Sequence, residues 1–536
     1  MRALIICVSL LVCAAAEADT PPAVKEQLRK LSRLPTVSLQ LKFGMNSMEG
    51  LLFEAEDVDP EVEVANLRKS MKGTPDDAQR YCELAKLLSR LEPGNPAGKE
   101  ALDKSIELFR KRIEAQPTNG QALAEFGEAL HLAGRDDEAE SVLRNAVRTV
   151  PDAWQPWLAL AGQLQASANT VLLSTKDTGK NSAKAASDST LQSKPSPDQI
   201  ERAQKLMAES MTCFDKAVAA APNEPMVYER RGAGRCSRSS FEAMLKLARG
   251  EETNTTTIAS SFLDSQAQVD FRKAVELNPR NYRAIGAMIM MEVMAASSLL
   301  GKANSSANNW EAMPEESKNV VREGMTRLQK LGEDPDKKVA AGAIGLEGTM
   351  RFVILGDVPR SEASLRRAIE LNPAREKCWE MLTAMLAISG QNQELADLCE
   401  QRVKRTDNAE NRFLLAKARE KLGQFDRAET QLQTILKTRP DDINALGGMA
   451  ALLLKHDDAD SLRQAALDLK RAEDLVTKLR PEEQKDDLKC DLLFTHALYN
   501  GLTGETESAR KLLREILNHD KDYEGAQTAL DALGRQ

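Results

Sequence analysis

A chain of 536 residues with 42% hydrophobic and 29% charged side chains has a soluble, folding composition, and its length calls for several domains or one continuous array of repeats. Aromatic residues make up only 4%, glycines are few, and Ala, Leu, Glu, Lys and Arg dominate, so an all-α protein is expected. The formal net charge of -8 provides no basic stripe, which sets nucleic acid aside as a partner.

The chain begins "MRALIICVSLLVCAAAEADTPPA". Arg2 precedes an apolar run from Ala3 to Val12, and Ala16-Glu17-Ala18 supplies small residues at the spacing signal peptidase accepts. Residues 1–18 are therefore expected to be a signal peptide cleaved before Asp19, with retention as an uncleaved anchor the alternative. A lipid on Cys13 is disfavoured, because Val12 stands where such a signal wants a small residue. No later stretch is apolar enough to span a membrane. The mature protein is expected to be exported, to the periplasm or outside, from a bacterium. Within residues 19–58, Val37, Leu39, Leu41 and Phe43 alternate with polar neighbours over Thr36–Phe43, a strand pattern. This segment is expected to cap the first repeat or to pair with a partner's strand.

From Asp59 onward one phrase recurs. "FRKAVELNPRNYRAI" (Phe271 to Ile285) is rewritten as "LRRAIELNPAREKCW" (Leu365 to Trp379), and related segments place prolines at 117, 151, 222, 279, 373 and 440. Pro117 and Pro151 lie 34 residues apart, and Pro373 and Pro440 lie 67 apart. The clearest unit runs from Gly120 to Pro151. Leu123, Phe126, Gly127 and Leu130 fall on a first helix, Gly134 in a turn, and Ala139, Leu143 and Ala146 on a second helix stopped by Pro151. Similar series are Tyr81, Leu84, Ala85, Leu88; Trp157, Leu160, Ala161, Leu164; Trp379, Leu382, Leu386, Gly390; Leu415, Ala416, Gly423, Ala428, Leu432; and Ala497, Gly504, Ala509, Leu513, Ile516.

This pattern resembles the tetratricopeptide repeat, a helix-turn-helix unit that buries its apolar face only against neighbours of the same kind. The resemblance implies a solenoid of about ten units over residues 59–536. Three consecutive units carry a surplus, placed between first and second helix. The first surplus, residues 174–197, is a polar low-complexity insert expected to be disordered. The second, Ser240 to Gln268, is expected to lengthen a hairpin, and the third, Gly301 to Ser317, to form a polar tip. Asn254-Thr255-Thr256 and Asn304-Ser305-Ser306 match a glycosylation acceptor, read here as chance.

No catalytic constellation is found. His131, His456, His496 and His519 sit in four different repeats without metal-ligand spacing. The six cysteines beyond the leader form no CxxC and are read as small buried hydrophobes, with Cys378 and Cys399 the first pair to test for a disulfide. "GNPAGKE" and "RGAGRCS" miss the phosphate-binding and dinucleotide-binding patterns by spacing and by context. No cofactor or metal is expected.

The expected function is a non-enzymatic scaffold holding a peptide or protein, or an accessory subunit of a cell-envelope machine for polysaccharide or outer-membrane protein assembly. In the family it resembles, positions 2, 5, 9 and 12 of each unit, with Pro at 32, line the inner face. By that rule Leu158, Met226, Met290, Val293 and Met381 lie on or beside it and are the candidate partner-binding residues, unless the lengthened hairpins bury them. The family's basic clamp for acidic peptide tails is absent where Ala124, Glu128 and Gln155 stand, so an apolar or mixed ligand is expected.

Overall fold

The computed structural model describes residues 20–33, 60–74, 76–91, 95–173, 195–249, 265–299, 310–456, 458–478, 486–521, 523 and 525–534. The expected leader, the Thr36–Phe43 strand, most of the polar insert and both acceptor motifs lie outside them. In chain order the helices are α1 (Pro22–Leu31), α2 (Pro60–Met71), α3 (Ala78–Leu91), α4 (Pro96–Ala115), α5 (Gly120–Leu132), α6 (Asp136–Thr149), α7 (Trp154–Leu173) and α8 (Pro197–Ala220). Next come α9 (Pro225–Arg249), α10 (Ser265–Leu277), α11 (Tyr282–Leu299), α12 (Glu315–Leu331), α13 (Lys337–Met350), α14 (Val358–Leu371) and α15 (Glu376–Ile388). The last eight are α16 (Asn392–Arg405), α17 (Ala409–Lys421), α18 (Phe425–Thr438), α19 (Ile443–Leu453), α20 (Ala459–Val476), α21 (Asp486–Thr503), α22 (Thr506–His519) and α23 (Ala526–Gly534). No strand occurs among the described residues.

Helices α3 to α14, and again α17 to α22, pair as successive hairpins, giving the all-α, tetratricopeptide-type architecture expected. The chain divides into two compact units, residues 45–381 and residues 1–44 with 382–536.

In the first unit the recurring phrase has a structural meaning at each position. The proline carbonyl that ends one repeat accepts a hydrogen bond from the aromatic side chain six residues on. Trp157 Nε1 donates to Pro151 O at 2.8 Å, Trp379 Nε1 to Pro373 O at 2.9 Å, and Tyr228 Oη to Pro222 O at 3.0 Å. Two residues after the proline an amide side chain caps the next helix, as Asn119 and Asn281 do by accepting from Ala122 N and Ala284 N at 3.0 Å. Gly134 turns the chain between α5 and α6 at a φ of 69°, a left-handed conformation that favours glycine. Gly127 lets α5 and α6 meet: a Cβ there would lie 2.6 Å from Leu143 Cγ.

Residues 174–194, 250–264 and 300–309 fall between the two helices of hairpins α7/α8, α9/α10 and α11/α12, where the surplus was expected. Three helices of these hairpins are long. Helices α7, α8 and α9 have 20, 24 and 25 residues, against 13 and 14 for α5 and α6. Pro197, the last residue of the expected insert, instead opens α8, with Ser196 and Gln199 forming a reciprocal cap. Asp270 is buried between α9 and α10, where Arg231 reaches it at 2.6 Å and Arg235 at 2.8 Å.

In the second unit Arg402 of α16 is buried and donates to Thr383 Oγ1 of α15 and Asn411 Oδ1 of α17, both at 3.1 Å, so one guanidinium ties three consecutive helices. Leu446, Leu469, Phe494, Leu498 and Leu513 belong to one apolar core, and Leu28 of α1, fully buried, belongs to it too. α1 packs on α21 and α23. The N-terminal helix therefore covers the last repeats. Cys378 is buried in the first unit and Cys399 in the second. No described helix is long and apolar enough to cross a membrane.

Candidate peptide groove in the second unit

First helices α17, α19 and α21 stand three repeats in a row. Counting back from Gly423, forward from Pro440 and back from Gly504, positions 9 and 12 of α17 are Lys417 and Glu420, and position 9 of α19 is Ala451. Positions 2, 5, 9 and 12 of α21 are Asp491, Phe494, Leu498 and Gly501. These are the inner-face positions of the repeat, and residues 20–33 lie against them.

The contacts run the length of the segment. Thr20 Oγ1 donates to Gly501 O at 2.8 Å. Leu28 fills the space left by the missing side chain of Gly501, where a Cβ would come within 2.7 Å of Leu28 Cδ1. Ser32 Oγ donates to the Ala451 carbonyl, and Lys455 Nζ donates to the carbonyl of Ser32. The Arg33 guanidinium lies over the rings of Phe494 and Tyr523, 5.8 and 5.3 Å from their centres. The two rings meet at 5.4 Å, and Tyr523 Oη donates to Asp491 Oδ1.

Val24, Leu28 and Leu31, at i, i+4 and i+7, form the apolar stripe that α1 turns to this face. Glu26 is the only acid among Lys25, Arg29, Lys30 and Arg33. Acidic Asp491 and Glu420 on the groove floor complement that charge. Burial pushes Lys417 down to about 8 against the pull of Asp491 and Glu420, and Arg33 adds to the depression. Burial also lowers Lys455, which stands 3.7 Å from Glu420 and 5.0 Å from the Phe425 ring centre. Burial, then the Asp491 carboxylate, raises the Tyr523 hydroxyl out of the physiological range. The site is apolar along its length and charged at one end, suited to a short amphipathic helix with a basic C-terminal residue.

The residues expected from sequence to carry a partner do not form one patch. Met226 is 45% exposed. It lines a cavity of about 620 Å³ in the first unit with Glu63, Glu229, Arg280, Arg283 and Lys338. There Glu229 accepts from Asn281 at 2.6 Å and Arg280 pairs with Asp334 at 2.6 Å. Leu158 is half-buried against the core that contains Leu143, Leu160 and Phe214. Met290 is buried, and Val293 half-buried, in the core to which α10 and α12 contribute Phe271, Val321 and Met325. Side chains of α10 and α12 surround them, and neither lies open on the inner face. Met381 is buried as well, for a different reason: it is the sixth residue of its unit, one step past the inner-face position Glu380.

Lys417, Glu420, Phe494, Asp491 and Gly501 were not singled out from sequence. The signal was available in the same positional rule applied to the last three units. What the rule lacked was an occupant, since the stripe of Val24, Leu28 and Leu31 spans fewer than three turns.

Fold and groove together define a helical-hairpin repeat protein whose inner face holds a helical segment. Residues 386–452 match the tetratricopeptide repeat family model. No curated protein matches the chain. Among solved structures, yeast Tom70 is similar at 14% identity over 96% of this chain and 94% of its own, with a TM-score of 0.36. PilW, a type IV pilus biogenesis factor, is 14% identical over 45% of this chain and 90% of its own, at 0.29. A monomeric mutant of IFIT1 with Gppp-AAAA is 13% identical over 95% and 99%, at 0.36.

Proposed function

We propose that the protein is an exported, non-enzymatic scaffold that holds a peptide or protein on the inner face of its helix hairpins. The observation that carries this reading is the seating of residues 20–33. Positions 5, 9 and 12 of the final repeats, at Phe494, Ala451 and Gly501, touch a segment that is not part of the repeat ladder, through backbone carbonyls, an apolar slot and a charged end. A surface that accepts one such helix has the shape and chemistry of a peptide site. Export rests on the leader pattern of residues 1–18.

Selection of displayed peptides on the full chain, followed by hydrogen exchange of the complex, tests the reading. Peptides that bind and protect the first helices of the hairpins support it. Absence of enrichment over a control surface, or protection confined to second helices, contradicts it. Mass spectrometry of the protein purified from its host tests export separately: a mature chain beginning at Asp19 agrees, and an intact Met1 does not.

A further inference from the structure

Resting on that reading, we infer that residues 20–33 are a displaceable internal ligand and that the groove of α17, α19 and α21 takes a partner's amphipathic helix of the same chemistry in their place. Such a partner carries aliphatic anchors at i, i+4 and i+7 and an arginine two residues beyond the last anchor, matching Val24, Leu28, Leu31 and Arg33. Three features of the site point to exchange.

The first is covalent independence. Residues 34–59 separate the segment from α2, and the hairpins of the second unit begin more than 350 residues later in the chain. The segment therefore meets its groove as a tethered ligand would. The second is the nature of the contacts. Thr20 and Ser32 donate to backbone carbonyls of α21 and α19, and Lys455 donates to the backbone of Ser32. These bonds read a helical backbone and hydroxyls, and any peptide with the same pattern can make them. The third is charge. Asp491 is buried beside Tyr523 at the end of the groove where Arg33 stacks on Phe494 and Tyr523. A carboxylate so placed favours a basic group at one defined point and disfavours an acidic one.

Tethering sets the size of the expected effect. A linked ligand reaches an effective concentration on the order of 1 mM, so if the free segment binds at on the order of 100 μM, vacating the groove raises the apparent affinity for an added peptide about tenfold.

The test uses a fluorescently labelled peptide of residues 20–33 and the full chain. Anisotropy titrations compare wild type with the double variant Leu28→Glu, Arg33→Glu, which expels its own segment. The expected result is binding roughly tenfold tighter to the double variant, an intermediate gain for Arg33→Glu alone, and loss of the gain when Asp491→Lys is added. Circular dichroism verifies that each variant keeps its helices, and Arg33→Glu, which leaves the Leu28 anchor in place, provides the arm least exposed to misfolding. Equal affinity for wild type and both vacated variants, or no binding by folded variants, overturns the inference. If displayed peptides bind the first unit while the segment peptide fails, the scaffold reading stands and the internal-ligand reading falls.

Discussion

Replacing Gly127 with alanine and Gly162 with alanine makes the same chemical change in two neighbouring first helices, α5 and α7, and the structure predicts opposite outcomes. At Gly127 the new Cβ would lie 2.6 Å from Leu143 Cγ and Cδ2 and 2.9 Å from Cδ1. Ordinary carbon contacts sit near 3.5–4.0 Å, so Leu143 has to recede by about 1 Å. That leucine is buried in the seam between hairpins and cannot turn into solvent. Overpacking of this kind costs roughly 1–3 kcal/mol, and the helix propensity gained on replacing glycine returns about 1 kcal/mol. The net change is a destabilisation of up to about 2 kcal/mol. At Gly162 a Cβ meets nothing within 4 Å, so the propensity gain stands alone and stabilises by about 0.5–1 kcal/mol. Urea denaturation followed by the fluorescence of Trp154 and Trp157, which lie at the start of α7, reports on both sites. A lowered midpoint for Gly127→Ala and a raised one for Gly162→Ala are expected. Shifts of the same sign would show that Gly127 does not mark a close approach of two helices.

Seating of residues 20–33 is expected to depend on pH. Burial holds Lys417 at about 8 in the occupied groove and the Arg33 guanidinium adds to that depression, so vacating the groove removes a cation and should let the vacated form bind more protons on the alkaline side of about 8. Affinity for the segment should therefore rise as pH climbs above about 8 and be flat below it; titrations across that point check this, and Lys417→Met should remove the slope. Met290→Glu places a carboxylate in an apolar core and should lower the melting temperature steeply, whereas Met226→Glu, at an exposed site, should leave it nearly unchanged; equal shifts would refute the burial described for Met290. Burial pushes the thiols of Cys82, Cys213 and Cys399 up to about 11, 12 and 12. Thiol labelling at pH 8 should spare all three until the chain is unfolded, as counted by mass spectrometry.

Much of this architecture was legible because the repeat writes packing into fixed positions. Pro151, Pro222 and Pro373 announce an aromatic six residues later, and the hydrogen bond between them recurs each time. Gly127, Ala139 and Leu143 were recognisable as a helix-helix seam from size alone. The candidate binding residues were read less well. Periodicity says which side of a helix a residue is on, but not what its neighbours lay over it, and side chains of α10 and α12 surround Met290 and Val293. The role of residues 20–33 was out of reach for a related reason. Three aliphatic residues on a ten-residue helix mark an amphipathic segment without naming its partner, and the groove that receives it is assembled from α17, α19 and α21, far along the chain.

Hydrogen exchange of the intact protein measures directly whether residues 20–33 occupy the inner face of the final repeats. With the segment seated, the amides of α1 exchange as slowly as those of the neighbouring α21, and Leu28→Glu removes this protection from α1 while α17 and α19 keep theirs. Exchange of α1 at the rate of an unprotected peptide in the wild-type protein would contradict it.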